Sequence, residues 1–462
     1  MPKVLYIGYD VPATTKGGAL VYQRSIAHAM SLWGWDVSCF FGVQNFNILN
    51  RADLRTTYEN GIKVIYLRCP YGPRFDNNLK MQCSNKTIEG LTRYVLSKEK
   101  PDIVHIHELQ MHPVSIIDII TEMKIPVVKT IHNYYDICPQ RDMMYNDVEL
   151  CSGVSDVMKC SRCAECMPLY TFRAAKKLAY ELLPRKVYAV FADLAKKIDS
   201  LKRGCKKTSE SYKGIGHMSP DDVSYRKQFF VDRLNRLDAV YCSSPRVKEI
   251  FVENGVAAER VVVIPISAKT LDDIIPKDMR DDRYPVIFGY FGGSFISRGY
   301  HVLLDAFSRV DQNKAKLIIR CTTDTKAFKK IEGINVQYKF PYSVNEINDV
   351  FREIDVGIVP SIWEEIFGIV GIEFLKARIP VIGSDIGGIP TWLKDGENGF
   401  LVKPNNVDEL VEKMNMFIEN PRLISEQQKK IKPWITIKEH VAHLSALYNE
   451  FLSLSRINRR CG

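Results

Sequence analysis

The stretch from Asp355 to Phe400, DVGIVPSIWEEIFGIVGIEFLKARIPVIGSDIGGIPTWLKDGENGF, decides the fold. Two short apolar runs, Val356 to Val359 and Ile379 to Ile382, fit buried parallel strands, and a helical pattern from Phe367 to Arg378 separates them. Such a strand, helix, strand unit builds an open parallel sheet, which takes its ligands beyond the carboxyl ends of the strands. Glu365 falls in the loop after the first strand. Glu373 follows after seven intervening residues, about two helical turns along. Between them the amides at Gly368 and Ile369 open the helix, and a helix start is a ready site for phosphate. A carboxylate deep in such a crevice accepts from the paired hydroxyls of a ribose, and one at its mouth suits a second polyol. Ribose, phosphate and sugar together describe a nucleotide-sugar.

This run resembles the motif of the retaining family 4 glycosyltransferases. Pro360, Ser361, Glu365, Phe367, Gly368, Glu373, Pro380, Gly387, Gly388, Pro390, Asn398 and Gly399 stand where that motif has them. The resemblance implies an α/β protein with the GT-B fold: two Rossmann-like domains facing each other across a cleft, and a C-terminal helix that crosses back to the first domain. It also implies sugar transfer, with retention, from a nucleotide-diphosphate-sugar to a glycan or lipid-linked acceptor, in cell-surface polysaccharide biosynthesis. In that scheme Glu365 orients the sugar and Glu373 the ribose. The donor lies mainly on the second domain and the acceptor on the first.

At 462 residues the chain is too long for one ordinary core, so two domains are expected. No apolar run of about 18 residues appears, and Met1-Pro2-Lys3 leads directly into a strand, so neither a membrane span nor a signal peptide is expected. That points to the cytoplasm, at most to the inner face of the membrane. The formal charge is +10, and most of the excess lies in one segment: Thr171 to Lys213 holds twelve Lys or Arg against four acids. Within it, residues 169–203 show apolar positions among the basic ones, which suits either peripheral contact with an anionic membrane or a solvated helical hairpin. No nucleic-acid-binding fold surrounds this charge, so nucleic acid is not expected as a partner.

The first domain is expected over 1–268. Its first loop, Tyr9 to Gly18, lacks the G-x-G-x-x-G spacing of a dinucleotide site, which excludes a Rossmann dehydrogenase. By resemblance Gly17 and Gly18 approach the diphosphate from across the cleft, and His132, at the tip of a strand, sits against donor sugar and acceptor. An insertion over 138–232 interrupts the domain. It carries Cys138, Cys151, Cys160, Cys163 and Cys166, whose last three form C-x2-C-x2-C. A tetrahedral Zn²⁺ held by Cys151, Cys160, Cys163 and Cys166 would stiffen this loop, while disulfides, free thiols or an iron-sulfur cluster are the alternatives.

The second domain is expected over 284–435 and the crossing helix over 436–462. After the domain's first strand the family has an Arg and a Lys that grip the diphosphate. Here Gly293 replaces that Arg, and Arg298 stands in the Lys position. The loop from Lys339 to Tyr342, with Phe340, occupies the place where similar proteins hold the base, with Ile347 beneath it. No D-x-D motif is placed for a catalytic cation, so transfer without a metal cofactor is expected. Two other readings stay open: a non-catalytic nucleotide-sugar-binding partner subunit, and a GT-B nucleotide-sugar epimerase.

Overall fold

The computed structural model describes residues 1–10, 18–44, 52–69, 79–145, 149–151, 153, 156–165, 219–293, 295–321, 334–339 and 346–461. Two parallel sheets organise them. In chain order the first domain contributes β1 (Lys3–Tyr9), β2 (Asp36–Gln44), β3 (Asp53–Glu59), β4 (Ile62–Cys69), β5 (Ile103–Ile106) and β6 (Val127–Thr130). A small antiparallel pair follows, β7 (Met144–Tyr145) with β8 (Glu149–Leu150), and then β9 (Ala239–Cys242) and β10 (Val261–Val263) return to the sheet. The sheet order is β10-β9-β6-β5-β1-β2-β4-β3. Ile7 of β1 stands opposite Phe40 of β2 and Ile106 of β5. The second domain contributes β11 (Val286–Gly292), β12 (Ala315–Cys321), β13 (Val336–Lys339), β14 (Val356–Val359), β15 (Val381–Ser384) and β16 (Gly399–Val402), in the order β13-β12-β11-β14-β15-β16.

The central strands read as unbroken apolar runs because helices cover both faces of a parallel sheet. Val356 to Val359 and Val381 to Ser384 are buried at every position, as are Ile103 to Ile106 and Ala239 to Cys242. The strand order also fixes where the ligand crevices lie. It reverses between β1 and β5 in the first sheet and between β11 and β14 in the second. Chains leaving neighbouring strands on opposite faces there leave a gap at the carboxyl ends. The loops carrying Arg298 and Glu365 flank the second gap.

The C-terminal helix, Ile437–Cys461, crosses back to the first domain as the fold class requires. Leu444, Tyr448 and Leu452 join the apolar cluster of Val4, Tyr6, Ile26 and Met30. Three polar contacts fasten the same face: Tyr22 Oη with His440 Nε2 at 2.7 Å, Trp35 Nε1–H donating to Ser445 Oγ at 2.9 Å, and His105 Nδ1 with the Tyr448 hydroxyl. At the crossing, Trp434 Nε1–H donates to Ile266 O and Ser267 Oγ–H to Ile435 O, each at 2.9 Å.

The structure departs from the sequence expectation at several boundaries. The helix expected over Phe367–Arg378 runs from Ile369 to Lys376. Gly368 takes a left-handed backbone (φ 76°) as its N-cap, and Arg378, also left-handed (φ 59°), turns the chain towards β15. The Pro220–Leu234 helix begins at Pro220 because Ser219 and Asp222 cap its first turn reciprocally and proline fits the first helical position. The polar β3 was not expected. Asn60 and Gly61, both with positive φ, form the two-residue turn that pairs it antiparallel with β4. Gly17, Phe340, Cys166 and the basic segment 169–203 lie outside the described residues.

Candidate functional site

Glu365 sits in the loop that leaves β14, buried, with three donors on one carboxylate oxygen. Trp363 Nε1–H reaches Oε2 at 2.8 Å, Ser361 Oγ–H at 3.1 Å, and the Arg298 guanidinium pairs with the same oxygen. Arg298 comes from the other side of the crevice, from the turn after β11, and its guanidinium carbon also lies 5.1 Å from the centre of the Trp363 ring. The loop is held from behind by a second glycine turn. Gly388 N–H donates to Glu365 O at 2.6 Å, and a side-chain carbon at Gly387 or Gly388 would collide with the backbone at Glu365 or Ile366. The glycines are there for close approach.

Glu373 lies one turn into the Ile369–Lys376 helix, half-buried. Among the described residues no hydrogen bond or ion pair meets its carboxyl group, and burial pushes its pKa up to about 7. A carboxyl left without donors in a crevice is an acceptor in waiting. The helix start beside it faces another. A side-chain carbon at Gly18, the first residue of the Gly18–Leu32 helix, would stand 3.4 Å from Ile369 Cγ2. Two helix N-termini from the two domains therefore approach each other across the cleft, and their first amides have no partner within their own helices. Lys376 ends the second of these helices.

The first domain supplies a wall of histidines at the ends of β5 and β6. His132 Nε2 lies 3.2 Å from His107 Nδ1, and the His107 ring stacks on His105 with centroids 4.3 Å apart. Tyr22, one turn along the Gly18–Leu32 helix, stands edge-on to His132 at 5.1 Å. Burial, then the charge of Lys129, lowers the His132 pKa to about 3, so its ring is neutral near pH 7 and exchanges hydrogen bonds rather than carrying charge. Asn133 Nδ2–H donates to the buried Glu108 at 2.5 Å. Ile347 is buried at the start of its helix and forms floor, not surface.

Sequence reasoning missed the contacts that join the two walls. Tyr134 meets Trp363 edge to face at 6.4 Å, Ser243 Oγ–H donates to Ile366 O at 2.9 Å, and Arg246 pairs with Glu364 at 3.2 Å. Each reaches from the first domain to residues 363–366. The only trace in the sequence is Trp363 itself, an indole donor two residues before Glu365.

The cysteines gather in one place. Cys138, Cys160 and Cys163 are buried and Cys151 half-buried. Burial, then the neighbouring Cys163 and Cys160, pushes the Cys138 thiol up to about 12, and burial, then Cys151 and Cys163, pushes Cys160 up to about 11. Among the described residues no three His, Cys, Asp or Glu side chains are placed to hold one ion. Cys151, Cys160 and Cys163 are free thiols that do not converge on one point, Cys138 lies near Cys160 and Cys163, and the fourth expected ligand, Cys166, lies outside the described residues.

Comparison with known proteins places this geometry. Residues 274–433 match the family model described as Glycosyl transferases group 1. An uncharacterized glycosyltransferase of Methanocaldococcus jannaschii is 28% identical over 235 residues, 48% of this chain and 63% of that protein. An uncharacterized 41.2 kDa protein in the cps region of Klebsiella pneumoniae is 26% identical over 208 residues, 42% of this chain and 57% of that protein. The chain spans less than two thirds of the length of either relative. Among solved structures, sucrose-phosphate synthase from Thermosynechococcus elongatus superposes with a TM-score of 0.60 at 16% identity, covering 100% of both chains. Anabaena HepE in complex with UDP and glucose gives 0.58 at 15% identity, covering 96% of this chain and 100% of that one. Residues 274–433 thus resemble the glycosyl transferases group 1 family, in a chain whose two facing sheets have the GT-B fold.

Proposed function

We propose that the chain is a retaining glycosyltransferase of family 4, moving a sugar from a nucleotide-diphosphate-sugar to a glycan or lipid-linked acceptor without a catalytic metal. The observation that carries the reading is the unpartnered Glu373 carboxyl beside a helix start that faces the Gly18 helix start across the cleft. In this reading Glu373 accepts from the ribose hydroxyls, and the paired helix starts and Arg298 receive the diphosphate. Glu365 turns to the sugar hydroxyls as Arg298 moves to phosphate. Negative charge grows on the diphosphate as the glycosidic bond breaks, and donors fixed in advance lower that barrier most. His132, neutral, lines the sugar side. HepE is solved with UDP and glucose, which supports the donor class.

The membrane contact through 169–203 and work at the cytoplasmic face belong to the same proposal and rest on sequence; no helix among the described residues is long and apolar enough to cross a membrane. The test is a thermal-shift panel of uridine, guanosine and adenosine diphosphates, followed by product analysis with the nucleotide-sugar that binds. A ligand at 100 times its Kd adds about 2.7 kcal/mol to the native state. Transfer that keeps the anomeric configuration and survives a chelator is expected; no shift with any nucleotide refutes the reading. One observation favours the non-catalytic alternative, since Arg298 is already engaged by Glu365. Nucleotide binding without turnover would select it.

A further inference from the structure

In the reading above the diphosphate is met by Arg298 and the paired helix starts. Gly293 stands where the resemblance implies an arginine, and Arg298 is paired with Glu365. A second guanidinium lies on the facing wall. Arg141 belongs to the cysteine-bearing loop of the first domain, at the end of a tight turn: its N–H donates to Cys138 O and its O accepts from Tyr134 N–H, each at 2.9 Å. Its backbone is left-handed (φ 78°), a conformation uncommon for a side-chain-bearing residue and found where structure elsewhere fixes a functional group. The turn is tied to the donor side by packing. The Tyr134 ring stands at 86° to Trp363, and Trp363 underlies Arg298 and donates to Glu365.

The side chain of Arg141 is not buried in the loop. It makes a two-pronged pair with its own neighbour, Nε–H to Asp142 Oδ1 at 2.8 Å and Nη2–H to Oδ2 at 3.0 Å, with the two side chains 30% and 26% exposed. Asp142 lies within electrostatic reach of Arg298, and Arg141 within reach of Tyr9 and Glu108 at the ends of β1 and β5. Those ends are the ligand crevice of the first sheet. Across the cleft the charges thus alternate: Glu365, Arg298, Asp142, Arg141. Phosphate fits a guanidinium fork as a carboxylate does, so a diphosphate entering this row can replace Asp142 as the partner of Arg141 and Glu365 as the partner of Arg298.

We propose that Arg141 is a donor-binding residue, the second cation of the diphosphate site, supplied by the first domain, with Asp142 as the partner that a diphosphate displaces. The proposal rests on the nucleotide-sugar reading above. It gives the cysteine loop a task, that of holding the turn that presents Arg141. The test is calorimetric titration of the full chain and two variants with uridine, guanosine and adenosine diphosphates. Arg141→Gln should weaken the tightest of them about tenfold or more, the loss of one charge-assisted pair. Asp142→Asn removes the competitor and should tighten it. Adjacent substitutions with opposite effects cannot come from a damaged loop. If the wild-type chain binds and Arg141→Gln binds with the same affinity, this inference alone is overturned, and so it is by equal weakening in both variants. Wild-type chain that binds none of the three overturns the donor reading on which it rests.

Discussion

Replacing Glu373 by glutamine tests the ribose contact and the electrostatics of the crevice together. The carboxyl ionises at about 7 in the folded chain against an ordinary 4.5, because burial removes water from the charged form and no donor replaces it. The raised folded-state value fixes the sign. Stability owed to the neutral acid is fully present below the unfolded pKa and is lost as pH rises through about 7. At about 1.4 kcal/mol per pH unit, carrying this charge costs the free protein on the order of 3 kcal/mol at about pH 8 and less than 1 kcal/mol at about pH 5. Glutamine has the same shape and no charge. Glu373→Gln should therefore gain about 2.5 kcal/mol on the wild type between those two pH values, read as denaturant midpoints of both proteins at each. Nucleotide affinity should move the other way. Wild-type binding should fall about tenfold from about pH 8 to about pH 6 as the acceptor is protonated, whereas the glutamine variant should bind weakly and evenly. Stability curves that run parallel for the two proteins would refute the account of Glu373, and a flat wild-type binding profile would refute its contact with ribose.

Other consequences are open to direct measurement. Arg298→Gln leaves Glu365 with only Ser361 and Trp363 as donors, so turnover should fall at least a hundredfold with a smaller change in donor Kd; equal turnover would remove Arg298 from leaving-group stabilisation. Tyr448→Phe strands His105 Nδ1 in the core beneath the crossing helix and should cost about 1 to 3 kcal/mol in urea denaturation, and no loss would mean that the contact contributes little. Metal analysis of the purified chain checks the cysteine loop. Zinc at one per chain, lost on Cys160→Ser, would mean that the loop closes around an ion, whereas the present spacing predicts thiols that titrate near 11 to 12 and react slowly with alkylating reagents at about pH 8.

Much of the fold was legible because parallel strands covered on both faces leave runs such as VGIV and AVYC, which have little other use. β3 was not legible from its own residues. An edge strand with the sequence DLRTTYE packs few side chains, and its evidence was the Asn60-Gly61 turn that follows. The start of the Pro220–Leu234 helix was written in Ser219, Pro220 and Asp222, but a search for apolar spacing passes over a polar cap. At the site, Glu365, Glu373 and Arg298 were legible because motif spacing is local. Tyr134, Ser243 and Arg246 were not, since what gives them meaning is contact with residues more than a hundred positions away.

The pinned crossing has a mechanical consequence. The chain passes between the domains twice, and Trp434 with Ile266 and Ser267 with Ile435 stitch the two passages to one another. Sliding or separation of the lobes would tear those stitches, whereas rotation about them would not. Any opening of the cleft is thus that of a book about its spine: the widest travel falls at the page edge, and residues near 266 and 435 hardly move.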